Sequence, residues 1–500
     1  MGGMGDVPPG NENSALLKKG VLGRMNRPVL LLTSVVSAVV LFTGAYSQDN
    51  GSTAKAQTAA RPNIVFILAD DMRQDDLKYM PKTRALFGEE GMTFNNAFVA
   101  NSLCCPSRAT IMRGQYSHNS GVWTNRDGSD GGWEGYKLNE NEQRNVATRL
   151  QAGGYRTALI GKYLNNYQGT AIPRGWDHWF GKFNSKYFDY DVNDNGTIRH
   201  FGTDESDYAT DVLRRQTRSF IDTSVAQGEP FFAYVAPAAP HGPFFPAPRH
   251  AHAFDGEQAP RPLSFNEADV SDKPPWIEEL PSLTSTQIAA IDLRYESRAE
   301  MLQSLDDLVG GVVRKLRATG ALNNTYIFFT SDNGWHHGEH RIPDGKTRPY
   351  EESIHMPLLV RGPDVLANST TGKLALNTDY FPTFTDLAGI QTPSYVDGRS
   401  LRPVLNGSAT TTSWRTAILL ERRDPSIPER SYYGIRTAGG RKYIEYEGGF
   451  RELYTLATDP YELTNDYTGT PPPNLASRLQ ALKTCAPDAT VTCRAAEDGP

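Results

Sequence analysis

Cysteine is scarce in this sequence, four in 500 residues, and long basic runs are missing altogether. Basic residues number 51 against 57 acidic ones, for a net charge of −6, and no stretch of Lys or Arg can track a phosphate backbone. That excludes nucleic acid as a partner. Internal repeats and extended low-complexity tracts are also lacking, which excludes a repeat architecture. Past residue 45 no apolar run is long enough to cross a bilayer.

The N-terminus has the layout of an export signal. Lys18, Lys19, Arg24 and Arg27 precede an apolar run from Val29 to Ala45, and the small residues of Ala54-Lys55-Ala56 follow. An uncleaved anchor is the alternative, because the run approaches spanning length and the positive charges would hold its front end inside. The chain is expected to be secreted or extracytoplasmic, with any membrane attachment made only through this segment. Residues 48–60 are polar and small, a flexible tether.

Cys485 and Cys493 lie close together in a polar stretch, as a short-loop disulfide or as two exposed thiols. Cys104 and Cys105 are adjacent. Their Cα atoms are held about 3.8 Å apart, closer than disulfides prefer, so they need another role.

From Arg61 onward, short β-rich apolar runs alternate with amphipathic ones. Residues 63–68, 156–160, 230–236 and 325–330 read as buried strands. Leu302, Leu305, Leu308, Val309, Val312, Val313 and Leu316 recur at helical spacing up to Gly320. This alternation predicts an α/β fold with a largely parallel sheet sandwiched by helices. After about residue 403 the texture changes to polar turns and short alternating runs, a smaller and mainly antiparallel unit with a final helix near residues 475–482. The expected division is 1–60 for signal and tether, 61–408 for the main domain and 409–500 for the C-terminal subdomain.

Each predicted strand ends in residues suited to a metal and an anion: Asp70-Asp71, Gly161-Lys162, Pro240-His241-Gly242 and Asp332-Asn333-Gly334. Ligands of open parallel sheets bind beyond the carboxyl ends of the strands. Asp70, Asp71, Asp332 and the Asn333 amide oxygen are hard donors that suit Ca²⁺ or Mg²⁺. Taken singly, an Asp pair is a solvated turn or cap and Asp-Asn-Gly a turn; together at strand ends they read as a metal site. Pro106 suits the first turn of a helix that Gly114 stops, so Cys104 and Cys105 stand at an anion-attracting helix N-terminus, with Arg108 one turn in. The alternative makes both cysteines small buried hydrophobes.

Cys104-Cys105-Pro106-Ser107-Arg108 with Gly114 resembles the signature of the type I sulfatases. The resemblance runs through Asp70-Asp71, Gly161-Lys162-Tyr163, Pro240-His241-Gly242-Pro243, Asp332-Asn333-Gly334 and Lys346 to residues 452–460. With Gly161-Lys162-Tyr163-Leu164-Asn165, it leans towards the N-acetylglucosamine-6-sulfatases and heparan endosulfatases. It implies an alkaline-phosphatase-like fold and a sulfuric ester hydrolase acting on a sulfated sugar or aryl sulfate. It also implies that a formylglycine-generating enzyme oxidises Cys104, before folding, to formylglycine (3-oxoalanine), whose hydrate attacks sulfur and later expels sulfate. Cys105 would be structural. Carried over, Asp70, Asp71, Asp332, Asn333 and the modified Cys104 hold Ca²⁺, with Mg²⁺ the other hard cation that fits. Arg108, Lys162 and Lys346 neutralise the sulfate oxygens, and His241 or Lys346 protonates the leaving alcohol. Leu164 stands where many arylsulfatases carry a histidine, leaving His336, His337 and His340 to supply the base, His336 first among them.

Two other readings compete. A phosphate or phosphonate monoester hydrolase of the same superfamily would use the same metal and cationic clamps. A catalytically silent protein that binds sulfated glycans would keep only the fold. Trp123, Trp133 and Trp335 are candidates for stacking on sugar faces, and residues 125–142 and 244–291 for the walls that set specificity.

Overall fold

The computed structural model describes residues 61–410, 414–486 and 492–499. The predicted export segment and tether, residues 1–60, lie outside them.

Four strands form the centre of a ten-stranded sheet: β1 (Asn63–Ala69), β2 (Arg156–Lys162), β3 (Phe231–Ala236) and β4 (Thr325–Ser331). They lie in the order β4-β1-β3-β2, all parallel. These are the four runs whose sequence reads as buried strands. Beyond β4 lie strands Leu358–Arg361, Met92–Phe94 and Ser369–Thr371, and beyond β2 lie His178–Lys182, Tyr190–Asp194 and Thr197–Phe201. Antiparallel pairs at residues 358–361, 190–194 and 197–201 make the sheet mixed.

Period-two alternation divides each central strand between two apolar layers. Val65, Ile67, Ile160, Val235 and Phe329 face one core, and Ile64, Phe66, Leu159, Tyr234 and Phe328 the other. Both faces are covered, which explains the unbroken apolar runs. The short helix α1 (Cys104–Arg113) puts Cys105, Ala109 and Met112 into the second layer. The long helix α2 (Ser285–Ala318) puts Leu302, Leu305, Val309, Val312 and Leu316 into the first.

α2 begins well before the periodicity that predicts it. Thr284 and Gln287 form a capping box, with Gln287 N–H donating to Thr284 Oγ1 at 3.3 Å and Thr284 N–H to Gln287 Oε1 at 2.9 Å. Its first turns bury only Ile291, Tyr295 and Arg298. A face so thinly apolar gives little periodic signal.

The C-terminal part is a four-stranded antiparallel sheet, β5 (Ala417–Arg422), β6 (Tyr432–Thr437), β7 (Arg441–Tyr446) and β8 (Arg451–Thr455), followed by helix Pro473–Lys483. Ile418, Leu420, Ile435 and Tyr443 of this sheet share one core with Phe98, Tyr116, Tyr350 and Ile354. The two parts are thus one compact unit. Cys485 and Cys493 form a disulfide across a separation of eight residues.

Candidate active site

The register fixes the centre of the site. β1 and β4 pair without slip from Asn63 opposite Thr325 to Ala69 opposite Ser331, so Asp70 and Asp332 leave the sheet level with each other. Asp332 N–H donates to the Ala69 carbonyl at 3.1 Å, and Asp71 N–H to Asp332 Oδ1 at 3.1 Å. Asp71 has φ of 66°, a conformation that a non-glycine residue keeps only where its surroundings fix it. Asp70, Asp71 and Asp332 bring one carboxylate oxygen each within 4.8 Å of one another, all buried.

α1 enters from the other layer with Cys104 as its first residue, and Cys105 N–H donates to Asn125 Oδ1 at 2.8 Å. Gly114 ends the helix at φ of 63°, and a Cβ there would sit 2.8 Å from Val396 Cγ1. Cys104 Sγ lies 3.5 Å from Asp70 Oδ1 and groups with Asp70 and His241 within 4.8 Å. Lys162 Nζ donates to Asp70 Oδ2 at 2.5 Å. Lys346 Nζ contacts Asp71 Oδ1 and lies 2.8 Å from Cys104 Sγ. His241 Nε2 is 3.6 Å from Asp71 Oδ2, and with 29% of its side chain exposed it is the most accessible of these groups.

Arg108 is fully buried and turned to the protein itself: Nε donates to Asp332 Oδ2 at 2.7 Å and Nη1 to the Lys162 carbonyl at 2.9 Å. Only Nη2 has no hydrogen-bond partner. His336 is also fully buried; neither ring nitrogen has a hydrogen-bond partner among the described residues, and Nδ1 lies 4.0 Å from Glu339 Oε2. Its ring lies near Tyr350 and His340, and it makes none of the hydrogen bonds or ion pairs of Cys104 and the three carboxylates. His337 packs on Tyr295, and His340 bonds Glu267 Oε2 at 2.7 Å. Leu164 is buried core. Trp133 is committed to packing, donating to Glu142 Oε1 at 2.6 Å under Lys137, whereas Trp335 lies against Arg298 and Lys346.

Two participants escape sequence reading. Arg298 of α2 donates Nη2 to the Asp71 carbonyl at 2.5 Å and Nη1 to that of Pro240 at 3.2 Å, tying two strand ends together. An arginine at helical spacing with Tyr295 and Leu302 is its only signal. Asn125, which accepts from Cys105 N–H, enters the sequence reading only as the first residue of a specificity wall.

The electrostatics are those of a filled charge cluster. Burial pushes the Asp70 carboxyl up, but Lys162, His241, Arg108 and Lys346 together hold it well below its usual range. Burial, with Asp70 and Asp332, outweighs the two lysines at Cys104 and pushes its thiol up to about 12. An unmodified Cys104 is therefore a protonated thiol at neutral pH, a poor nucleophile.

Carboxylates, cations and a helix-terminal cysteine stand together at the carboxyl ends of four parallel strands, an arrangement suited to a metal and an anionic ester. The chain belongs to the sulfatase family. The sulfatase family model matches residues 62–390, and that of the N-sulphoglucosamine sulphohydrolase C-terminal region matches residues 338–484. N-acetylglucosamine-6-sulfatase of Homo sapiens is 37% identical over 484 residues, covering 87% of this chain and 86% of that protein. An extracellular sulfatase SULF-1 homologue of Drosophila melanogaster is 34% identical over 409 residues, covering 79% of this chain and 36% of that protein. Among solved structures, a protein in complex with its substrate D-glucosamine-2-N,6-O-disulfate superposes with a TM-score of 0.71 at 26% identity, covering 85% of this chain and 97% of that one. The chain is thus a sulfatase, and its fold is the α/β architecture of that family.

Proposed function

We propose that this sulfatase removes an O-sulfate from a sulfated carbohydrate, with 6-O-sulfated N-acetylglucosamine as the favoured sugar, through a formylglycine made from Cys104. The observation that carries this reading is the meeting of Cys104 Sγ with Asp70 and Lys346 at the strand ends. The names of the relatives supply the sugar.

The donor set fits a hard divalent cation. Asp71 Oδ2 and Asn333 Oδ1 are buried without hydrogen-bond partners, and they stand with Asp70 and Asp332 in an all-oxygen set that suits Ca²⁺. When bound, the cation would polarise the sulfate and favour a nucleophilic hydroxyl on the modified Cys104. Lys162 and Lys346 neutralise sulfate oxygens at the accessible edge of the cluster. As the S–O bond to the alcohol breaks, His241 or Lys346 supplies the proton that the leaving oxygen takes up. Arg108 positions Asp332 and the end of β2, with Nη2 left for a substrate oxygen.

Cys104 is 1% exposed, so its oxidation by a formylglycine-generating enzyme precedes folding. The disulfide and the extracellular relative support an extracytoplasmic location. Among the described residues, no helix is long and apolar enough to cross a membrane.

The test is the mass of the tryptic peptide 85–108 from exported protein, followed by hydrolysis of a panel of sulfated sugars, an aryl sulfate and an aryl phosphonate monoester. Formylglycine at Cys104 with sulfate release supports the reading. Intact cysteine in a host able to make the modification sinks it. Turnover of the phosphonate in preference to every sulfate moves the enzyme to the monoester hydrolases.

A further inference from the structure

An arginine this well covered is normally paired. Arg348, Arg422 and Arg430 depart from that rule: Nε of all three, and Nη1 of Arg422, are buried without a hydrogen-bond partner. Arg422 makes one ion pair, Nη2 to Asp424 Oδ2 at 2.9 Å, and Arg348 Nη1 donates to Thr347 Oγ1 at 2.8 Å. Neither Arg348 nor Arg430 has a carboxylate partner among the described residues. Burial, then the charges of Arg422 and Arg430, lowers the proton affinity of Arg348.

Two connections tie this cluster to the reactive centre. Arg348 follows by two residues the lysine whose amine lies on Cys104 Sγ. Ser102, two residues before Cys104, donates Oγ to the Arg348 carbonyl at 3.3 Å. On the far side, Arg422 of β5 is in register with Tyr432 of β6, which is opposite Tyr446 of β7. These three line a cavity of about 500 Å³ together with Trp123, Arg423 and Arg451. Of its two acidic residues, Glu445 is already held by Lys483 at 3.1 Å.

We propose that the cavity lined by Arg422, Arg423 and Arg451, with Arg348 and Arg430 adding positive charge beside Arg422, is a second anion subsite beside the sulfate-cleaving centre, receiving a further acidic group carried by the same carbohydrate. The proposal rests on the sulfatase reading of that centre. Guanidinium forks match the planar or tetrahedral oxygens of a carboxylate or sulfate. The second group is either another sulfate or the carboxylate of a neighbouring uronic acid, and the substrates below separate the two.

The experiment measures kcat/KM for the formylglycine-containing enzyme, wild type and Arg422→Gln and Arg430→Gln, on four substrates. These are an aryl monosulfate, a monosulfated glucosamine, the same sugar with a second sulfate, and the same sugar linked to a uronic acid. The wild type is expected to favour one dianionic sugar over the monosulfated one by about 10- to 100-fold, the range for a charge-assisted hydrogen bond. Both variants lose that preference, chiefly through KM, and keep aryl sulfate turnover within about twofold. Equal wild-type rates on mono- and dianionic sugars overturn the subsite whether or not the variants fold, as does an equal loss on aryl and sugar substrates. No turnover of the aryl sulfate or any sugar sulfate by modified enzyme overturns the sulfatase reading itself, and the subsite with it.

Discussion

Lys346 Nζ stands 2.8 Å from Cys104 Sγ while it contacts the Asp71 carboxylate. One amine thus bridges Cys104 and the set of hard oxygen donors. Burial opposes its charge, and the Asp71 carboxylate restores it, raising its proton affinity above the ordinary lysine range.

Lys346→Ala is expected to lower kcat by about 10²- to 10³-fold, the usual cost of removing one group that stabilises developing charge. Lys346→Arg restores a cation without the compact ammonium, and recovers part of the loss. Steady-state kinetics on an aryl sulfate checks both, and unchanged kcat in the alanine variant rejects a role at the reacting atoms.

Chelation of divalent metal is expected to abolish turnover and lower the thermal midpoint, with both restored by Ca²⁺. Without a cation, Asp70, Asp71 and Asp332 face one another within 4.8 Å, and the orphaned oxygens of Asp71 and Asn333 remain unsatisfied. A chelated enzyme with full activity and an unshifted midpoint would show that the lysines alone neutralise the cluster.

Arg108→Ala leaves Asp332 buried without its cation, since both side chains are fully buried and 2.7 Å apart. Breaking such a pair costs about 3–5 kcal/mol. Denaturant unfolding of the metal-free proteins reads this loss directly, and a change below about 1 kcal/mol would mean that the site relaxes or hydrates.

His118, which makes no contact with Cys104 or its carboxylates, carries a pH signature of its own. Burial lowers its basicity, but the Glu421 carboxylate at 2.7 Å raises it to about 9. The folded value exceeds the unfolded 6.5, so the stabilisation is complete below pH 6.5 and disappears as pH rises through about 9. Its size is about 3 kcal/mol. The thermal midpoint should fall across this window in the wild type and more shallowly in His118→Gln; identical slopes would assign the fall to other groups.

The sequence by itself determined the central strands and what stands at their ends. Asn63–Ala69 and Thr325–Ser331 are buried along their whole length and largely apolar because both faces of the sheet are covered, and the polar residues that follow them stay next to the strands in the fold. Asp70, Asp71 and Asp332 could therefore be grouped, with Cys104 at a helix start, from local pattern alone. Tertiary structure decided the partners of each side chain. Arg108 is spent on Asp332 and the Lys162 carbonyl, and His336 is walled in near Tyr350 and His340. Arg422 and Arg430, at opposite ends of the β5–β6 connection, both bear electrostatically on Arg348 of a distant loop. Local periodicity reports which face a residue occupies, whereas burial and ion pairing depend on segments that only the sheet register and layer packing bring together.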